Sequence, residues 1–401
     1  MWEKLRRFGL EHCDLATIMD NIADLLRIMA LNVDGRDGGV PIATIIMTVL
    51  GVGVYIYVYV FSMVWSVFCR KTEDLAGDII TFSVGMATGM SMAKFFCLHF
   101  KRKSSEYNTV AAFLLYDKRV SRESKMHSNL LRHTKMIKRR AMFVWLMIVT
   151  IAVAYSLRPI FQRGRHLMDD GQTLYGLDPN FESPNFELTF LFGQMALVMV
   201  VYSCATVTAL FIIFAGYVEA LMLALGDEML QLWDDAQALT IEETDRATKK
   251  KLQNQHIKHQ LKSIVHTHAA SLNLLRLADR VFSTSMAIEF SFLGMDIIAA
   301  MLGGLEKTYI EIPYALNQVF IDCFFGQHLV DASLRFQDRV YACKWENFDV
   351  SNMKTVLTIL LNSKTMVMTV GGITELRLMT LMYVLKSIYS TYAALRTTMN
   401  T

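Results

Sequence analysis

The chain has 401 residues, 53% hydrophobic and only 19% charged, which excludes a disordered chain, and six Cys in this length exclude a disulfide scaffold. A net charge of +3 is too small to imply a nucleic-acid partner. The apolar residues gather in blocks, with 28 uncharged residues at 41–68 and 31 at 188–218, so the expected fold is an all-α integral membrane protein.

In chain order, the start mixes Glu3, Glu11, Asp14, Asp20 and Asp24 into an apolar pattern. That excludes a signal peptide and predicts a cytosolic amphipathic helix lying along the membrane. A crossing helix needs about 20 apolar residues. Seven segments supply them: 41–68, 75–100, 141–161, 188–218, 281–305, 308–330 and 376–398. The connection 101–140 opens with KRK and closes with KRR, and is expected to flank lipid headgroups. The connection 226–280 is helical in composition and is expected to extend the fourth span into the cytosol. The last three spans carry Glu289 and Asp296, Glu311 and Asp322, and Arg377 and Lys386, which must face protein or water. No repeat or linker divides the chain, so 1–401 reads as a single domain.

With the N-terminus inside, the inner connections hold 30 Lys and Arg and the outer ones 5. By the positive-inside rule this predicts a cytoplasmic N-terminus and, with seven transmembrane helices, an extracellular C-terminus. A G-protein-coupled receptor has the opposite orientation. The outer connection 162–187 also has no Cys for that class's clamp, and neither its Asp-Arg-Tyr nor its Asn-Pro-x-x-Tyr motif is present. Catalytic motifs are equally missing: no Gly-rich phosphate loop, no Gly-x-Ser-x-Gly and no His-Glu-x-x-His. His256, His259, His266 and His268 have no completing Cys or well-spaced carboxylate, and read as a solvated, pH-sensitive helix face.

Gly371 and Gly372 separate an amphipathic stretch, 353–361, from a final helix, 373–399. At 100° per residue, Thr380, Ser387, Thr391 and Thr398 form a stripe about 40° wide with Ala394 close by. The opposite face carries Met382, Leu385, Tyr389 and Tyr392, which suits packing or lipid. The stripe has two readings. Its hydroxyls bond neighbouring helices or their own carbonyls, or they wet a pore that Leu395 and Val384 beside them close by dewetting. One chain cannot line such a pore, so the second reading requires an oligomer.

The inside N-terminus, the seven spans, the amphipathic helix before the last span and the C-terminal run TLMYVLKSIYSTYAALRTTMN resemble the insect odorant receptors. The related gustatory receptors end the last span with Thr-Tyr, five residues, then Gln-Phe. Here Thr391 and Tyr392 are followed by Thr398 and Met399, which favours the odorant branch. The family's co-receptor has a much longer fourth-to-fifth connection than the one here, so the resemblance implies a ligand-tuned subunit.

It also implies a tetrameric, ligand-gated, nonselective cation channel in the plasma membrane of sensory dendrites, assembled with the odorant receptor co-receptor and needing no cofactor. The regions 219–280 and 335–374 would pack the subunits together in the cytosol. Carried over by position, Leu395 is the hydrophobic gate, Thr398 the polar position just outside it, and Thr391 and Ser387 the wetted lining, with Ala394 beside them. The small volatile ligand would sit in the outer half of the bundle, surrounded by membrane lipid. Its expected walls are Phe82, Ser83 and Met86 in the second span, Thr150 and Ala154 in the third, Phe192, Met195 and Met199 in the fourth, and Tyr309 and Tyr314 at the sixth. The alternatives are a gustatory-type homotetrameric channel and a transporter with midplane binding.

Overall fold

The longest uncharged block forms the axis of the molecule. A computed structural model describes residues 8–33, 40–70, 75–101, 113, 125–161, 164–168, 173–240, 245–304 and 311–400. Its helices in chain order are α1 (Leu15–Arg27), α2 (Ile42–Cys69), α3 (Leu75–Lys101), α4 (Lys125–Phe161), α5 (Asn185–Ala238), α6 (Arg246–Gly303), α7 (Glu311–Tyr341), α8 (Val350–Asn362) and α9 (Leu378–Asn400). A two-residue hairpin, β1 (Thr369–Val370) and β2 (Thr374–Glu375), precedes α9.

In α5 every residue from 203 to 226 is buried, as expected of a helix that is apolar on all faces. The other spans wrap it, with α4 and α7 packed along its length, while α3 lies against α6. At 54 residues α5 is about 80 Å long, far more than about 30 Å of hydrocarbon needs. It continues beyond the membrane, and α6 returns alongside it over 58 residues, so 226–238 and 246–280 of that connection are helical. Among the described residues five helices, α2 to α6, are long and apolar enough to cross a membrane on their own. The 31 residues of α7 and 23 of α9 suffice in length, and their polar residues lower the hydropathy.

Three of the charges inside the spans meet one another within the chain. Lys94 Nζ on α3 reaches Asp322 Oδ1 and Oδ2 on α7 at 2.8 and 2.7 Å and Glu289 Oε1 on α6 at 3.4 Å. All three side chains are at most 1% exposed. Ser83 donates to Asp296 Oδ1 at 2.7 Å, joining α3 to α6 a few turns away. These carboxylates face protein, as expected.

Several expectations need correction. Asp14 caps α1 by accepting from Thr17 N at 3.0 Å, and Leu15, Ile18, Met19, Ile22 and Leu26 are buried. The apolar face of α1 therefore meets the bundle, where Tyr202 donates to the Leu25 carbonyl, instead of lying on lipid. In the connection 101–140, residues from Lys125 onward already belong to α4. Lys138, expected at headgroups, is buried and donates to the Gly9 and His12 carbonyls at 2.6 Å each. Arg140 pairs with Glu219 at 3.0 Å. His268, expected on a solvated face, stacks on Phe336 at 5.2 Å, and burial holds its pKa below the ordinary value.

The final helix begins at Leu378, later than 373 or 376, because Thr374 and Glu375 are paired into the hairpin. Gly371 and Gly372 form its tip at φ of 64° and 73°, the left-handed pair that a tight two-stranded turn requires. The tip is tied to α6. Gly371 N donates to the Ser283 carbonyl at 2.9 Å, Gly372 N to Ser283 Oγ at 2.8 Å, and Thr369 N to Asp279 Oδ1 at 2.6 Å.

Candidate ligand cavity and pore helix

An almost wholly apolar cavity of about 80 Å³ lies between five helices. Val84, Ala87, Thr88 and Ser91 of α3 form one wall, and Ile151, Ala152 and Tyr155 of α4 another. Leu197, Val200 and Val201 of α5 face them, with Tyr59 of α2 and Tyr314 of α7 closing the ends. Tyr59 sits on a π-helical stretch, Ile56–Phe61, whose wide turns keep it on the buried face with Tyr55, one step of four residues earlier. Small residues open the space: Ala87 and Ser91, four positions apart on α3, put their short side chains in one column.

A polar cluster of this cavity lies where α3 meets α7. Ser91 Oγ lies 3.2 Å from Tyr314 Oη, 3.1 Å from Gln318 Oε1 and 3.1 Å from the Ala87 carbonyl. One turn deeper on α3 is Lys94, held by Asp322, which is one turn beyond Gln318 on α7. A larger groove of about 220 Å³ lies between α1, α4 and α5, walled by Ile18, Ile22, Trp145 and Ile213 among others. It is bounded partly by α1 rather than by spans alone, so the smaller cavity is the better-enclosed candidate.

Of the residues expected to contact ligand, Tyr314 alone lines this cavity. Ser83 is spent on Asp296, and Met86 is half-buried outside the lining. Phe82 lines a separate groove with Ile79, Met295 and Ile298. Thr150 is exposed and donates to its own helix at Leu146, and Ala154 is exposed beside it. Phe192 packs edge-on against Tyr57 at 5.9 Å, Met199 lies over Gly51, and Met195 is 41% exposed. Tyr309 lies outside the described residues.

In α9, Leu376 just before the helix, Leu381 and Ile388 are buried against α6 and α7, whereas Ser387, Thr391, Ala394, Leu395 and Thr398 are all exposed. Thr391 and Thr398 donate to the carbonyls four residues back, at 2.9 and 3.0 Å. Met382, Tyr383 and Tyr389 on other faces are exposed too. Among the described residues, α9 is packed along one narrow seam, and within the stripe Thr380 donates to the Glu375 carbonyl of β2 at 2.7 Å.

A family profile described as 7tm Odorant receptor matches residues 75–389, from α3 into α9. This chain belongs to that family. The odorant receptor is 29% identical over 121 residues to Odorant receptor 22c of Drosophila melanogaster, a match spanning 28% of this chain and 30% of that protein's length. Its fold is that of the insect olfactory receptor OR5 from Machilis hrabei. The structure of OR5 in complex with eugenol matches at a TM-score of 0.71 and 12% identity, over 96% of this chain and 98% of that one. A second OR5 structure matches at 0.71 and 14%, over 95% and 98%. Membership makes this multi-pass membrane protein a receptor rather than an enzyme.

The receptor's cavity residues differ from the expected ones mostly by a single step of rotation. Ile151 and Tyr155 line it where Thr150 and Ala154 do not, and Val200 lines it where Met199 does not. One residue is 100° on a helix, enough to turn a side chain from the interior to the lipid. The small-residue column on α3 is the signal in the sequence that points at the face lining this cavity.

Proposed function

We propose that this receptor is a ligand-tuned subunit of an odorant-gated, nonselective cation channel, assembled with the odorant receptor co-receptor as a heterotetramer in the plasma membrane of olfactory dendrites. A volatile ligand occupies the cavity between α2, α3, α4, α5 and α7 and shifts the channel toward its open state. The last helix of each subunit lines the pore, and this chain contributes α9, with Leu395 as the gate and Ser387, Thr391, Ala394 and Thr398 beside it. The N-terminus is cytoplasmic and the C-terminus extracellular, as the 30-to-5 cation asymmetry favours.

The observation that carries this reading is the enclosed apolar cavity within the spans of an odorant receptor fold. Its walls suit molecules with few polar atoms, whose affinity comes from apolar burial at about 25 cal/mol per Å². Opening follows only if the ligand binds the open arrangement more tightly than the closed one. Currents recorded from cells carrying this chain with and without the co-receptor, against a panel of volatile compounds, test it. The expected result is ligand-evoked cation current only with the co-receptor. Equal current from this chain alone would remove the heteromeric assignment, and coupled flux without unitary currents would remove the channel.

A further inference from the structure

Ser91, Gln318 and Tyr314 form a polar cluster where α3 meets α7 at this cavity, whose lining also carries the hydroxyls of Tyr59, Thr88 and Tyr155. Ser91 has a single proton and three oxygen neighbours: the Ala87 carbonyl and Gln318 Oε1, each at 3.1 Å, and Tyr314 Oη at 3.2 Å. The carbonyl and the amide oxygen only accept. They claim the Ser91 proton, so the contact with the phenol is a hydrogen bond only if Tyr314 donates. Turning the Gln318 amide over does not change this. Its NH2 would then donate to Ser91, whose proton would go to Ala87, and Tyr314 would again be the donor. Ser91 is 1% and Gln318 3% exposed, so bulk water does not compete for these groups. Thr88, also on the cavity wall, donates to the Gly85 carbonyl at 3.0 Å. The protons of Ser91 and Thr88 are therefore turned into the protein; Tyr314, whose hydroxyl also meets Cys204 Sγ, turns its proton to Ser91 or to that sulfur, and its oxygen offers a guest its lone pairs.

Resting on the reading of this cavity as the odorant site, we propose that the receptor selects odorants bearing an O–H or N–H donor, alcohols and phenols foremost, over carbonyl, ether or hydrocarbon analogues of the same shape. Tyr314 is the specificity-determining acceptor. Ser91 is a positioning residue that holds the Tyr314 proton away from the ligand. A ketone in this place buries its oxygen against another acceptor, whereas an alcohol donates to Tyr314. A buried polar group left unpaired discriminates more strongly than a change in apolar size.

Matched pairs test this on the channel assembled with the co-receptor: 2-heptanol against 2-heptanone, and 2-phenylethanol against its methyl ether. The alcohol of each pair is expected to activate at about tenfold lower concentration than its partner. Tyr314→Phe is expected to bring that ratio to about one by weakening the alcohol, consistent with loss of a single hydrogen bond. Ser91→Ala removes one of the two groups that hold the phenol proton, Cys204 Sγ being the other, and is expected to shift the ratio part of the way toward the ketone. Equal potency of alcohol and ketone on the unaltered receptor, or an alcohol preference intact in Tyr314→Phe, overturns the inference. Ala87→Phe fills the cavity and tests the odorant reading separately. With surface labelling retained, loss of responses to both members of each pair supports the cavity as the site, and responses that persist through it remove the cavity reading itself.

Discussion

The bundle around α5 and the final helix α9 meet opposite fates in a single chain. Around α5 the buried Lys94 lies between Asp322 and Glu289, and residues 203–226 are buried. In α9 the apolar Met382, Tyr383 and Tyr389 and the hydroxyl stripe are left exposed, although the helix is long enough to span. One region completes its packing within the chain, and the other does so along only one seam. The difference separates the stability of a subunit from whatever α9 does in an assembly, and substitutions in the two regions should divide accordingly.

The largest expected effect is at the buried charges. Lys94→Met removes the cation from between Asp322 and Glu289, leaving two carboxylates in a site at most 1% exposed. Breaking such a buried group costs about 3–5 kcal/mol. Thermal melting of the detergent-extracted protein should show the loss, together with poor surface delivery. Lys125→Met is the control, because Lys125 and Asp235 pair at 2.8 Å with side chains 48% and 39% exposed. A surface pair contributes about 0.2–1 kcal/mol, so the control should melt close to the parent. Equal melting of both variants would break the contrast between a closed interior and an open edge.

A smaller effect is expected where the two regions join. A Cβ at Gly326 on α7 would overlap the Leu376 carbonyl oxygen, which belongs to backbone and cannot rotate away. Gly326→Ala should cost about 1–3 kcal/mol and displace the start of α9. Melting temperature and the ligand concentration for half-maximal current should both change. A shift in the second without the first would mean that the strain is taken up in α9 alone, which sharpens the comparison.

Much of this architecture was legible before any coordinates. Long uncharged blocks define helices because lipid leaves the backbone no other partner, so α2 and α5 stand close to their expected places. The intramembrane carboxylates Glu289, Asp296 and Asp322 are expected to face protein or water because a charge in lipid is costly, and they face protein. What escaped was rotation and partnership. Thr150 and Ile151 are adjacent in sequence and 100° apart in space, and a span that is apolar on all sides gives no clue to which of them points inward. Lys138 reads as a headgroup cation until the carbonyls of Gly9 and His12 are found above it, more than 120 residues away in the chain. The start of α9 was misplaced because a two-residue strand leaves almost no periodic signal.

The smallest expected effect on stability accompanies an expected change in current. Leu395 is 42% exposed and contacts no buried cluster, so Leu395→Ser should alter the melting temperature by no more than about 0.5 kcal/mol's worth. If Leu395 closes the pore by dewetting, a hydroxyl in its place lets water and ions through the resting channel. Baseline current in cells coexpressing the co-receptor should then rise while the alcohol-to-ketone ratio set at the distant cavity stays as it was. Ser387→Ala, two turns earlier on the same exposed stripe, should leave the baseline low because it adds no polarity. An unchanged resting current in Leu395→Ser removes this residue from the gate and leaves its exposure to be accounted for by a neighbouring subunit or by lipid. A raised current with unaltered melting would assign the open edge of α9 to conduction, independently of the closed core that holds the subunit together.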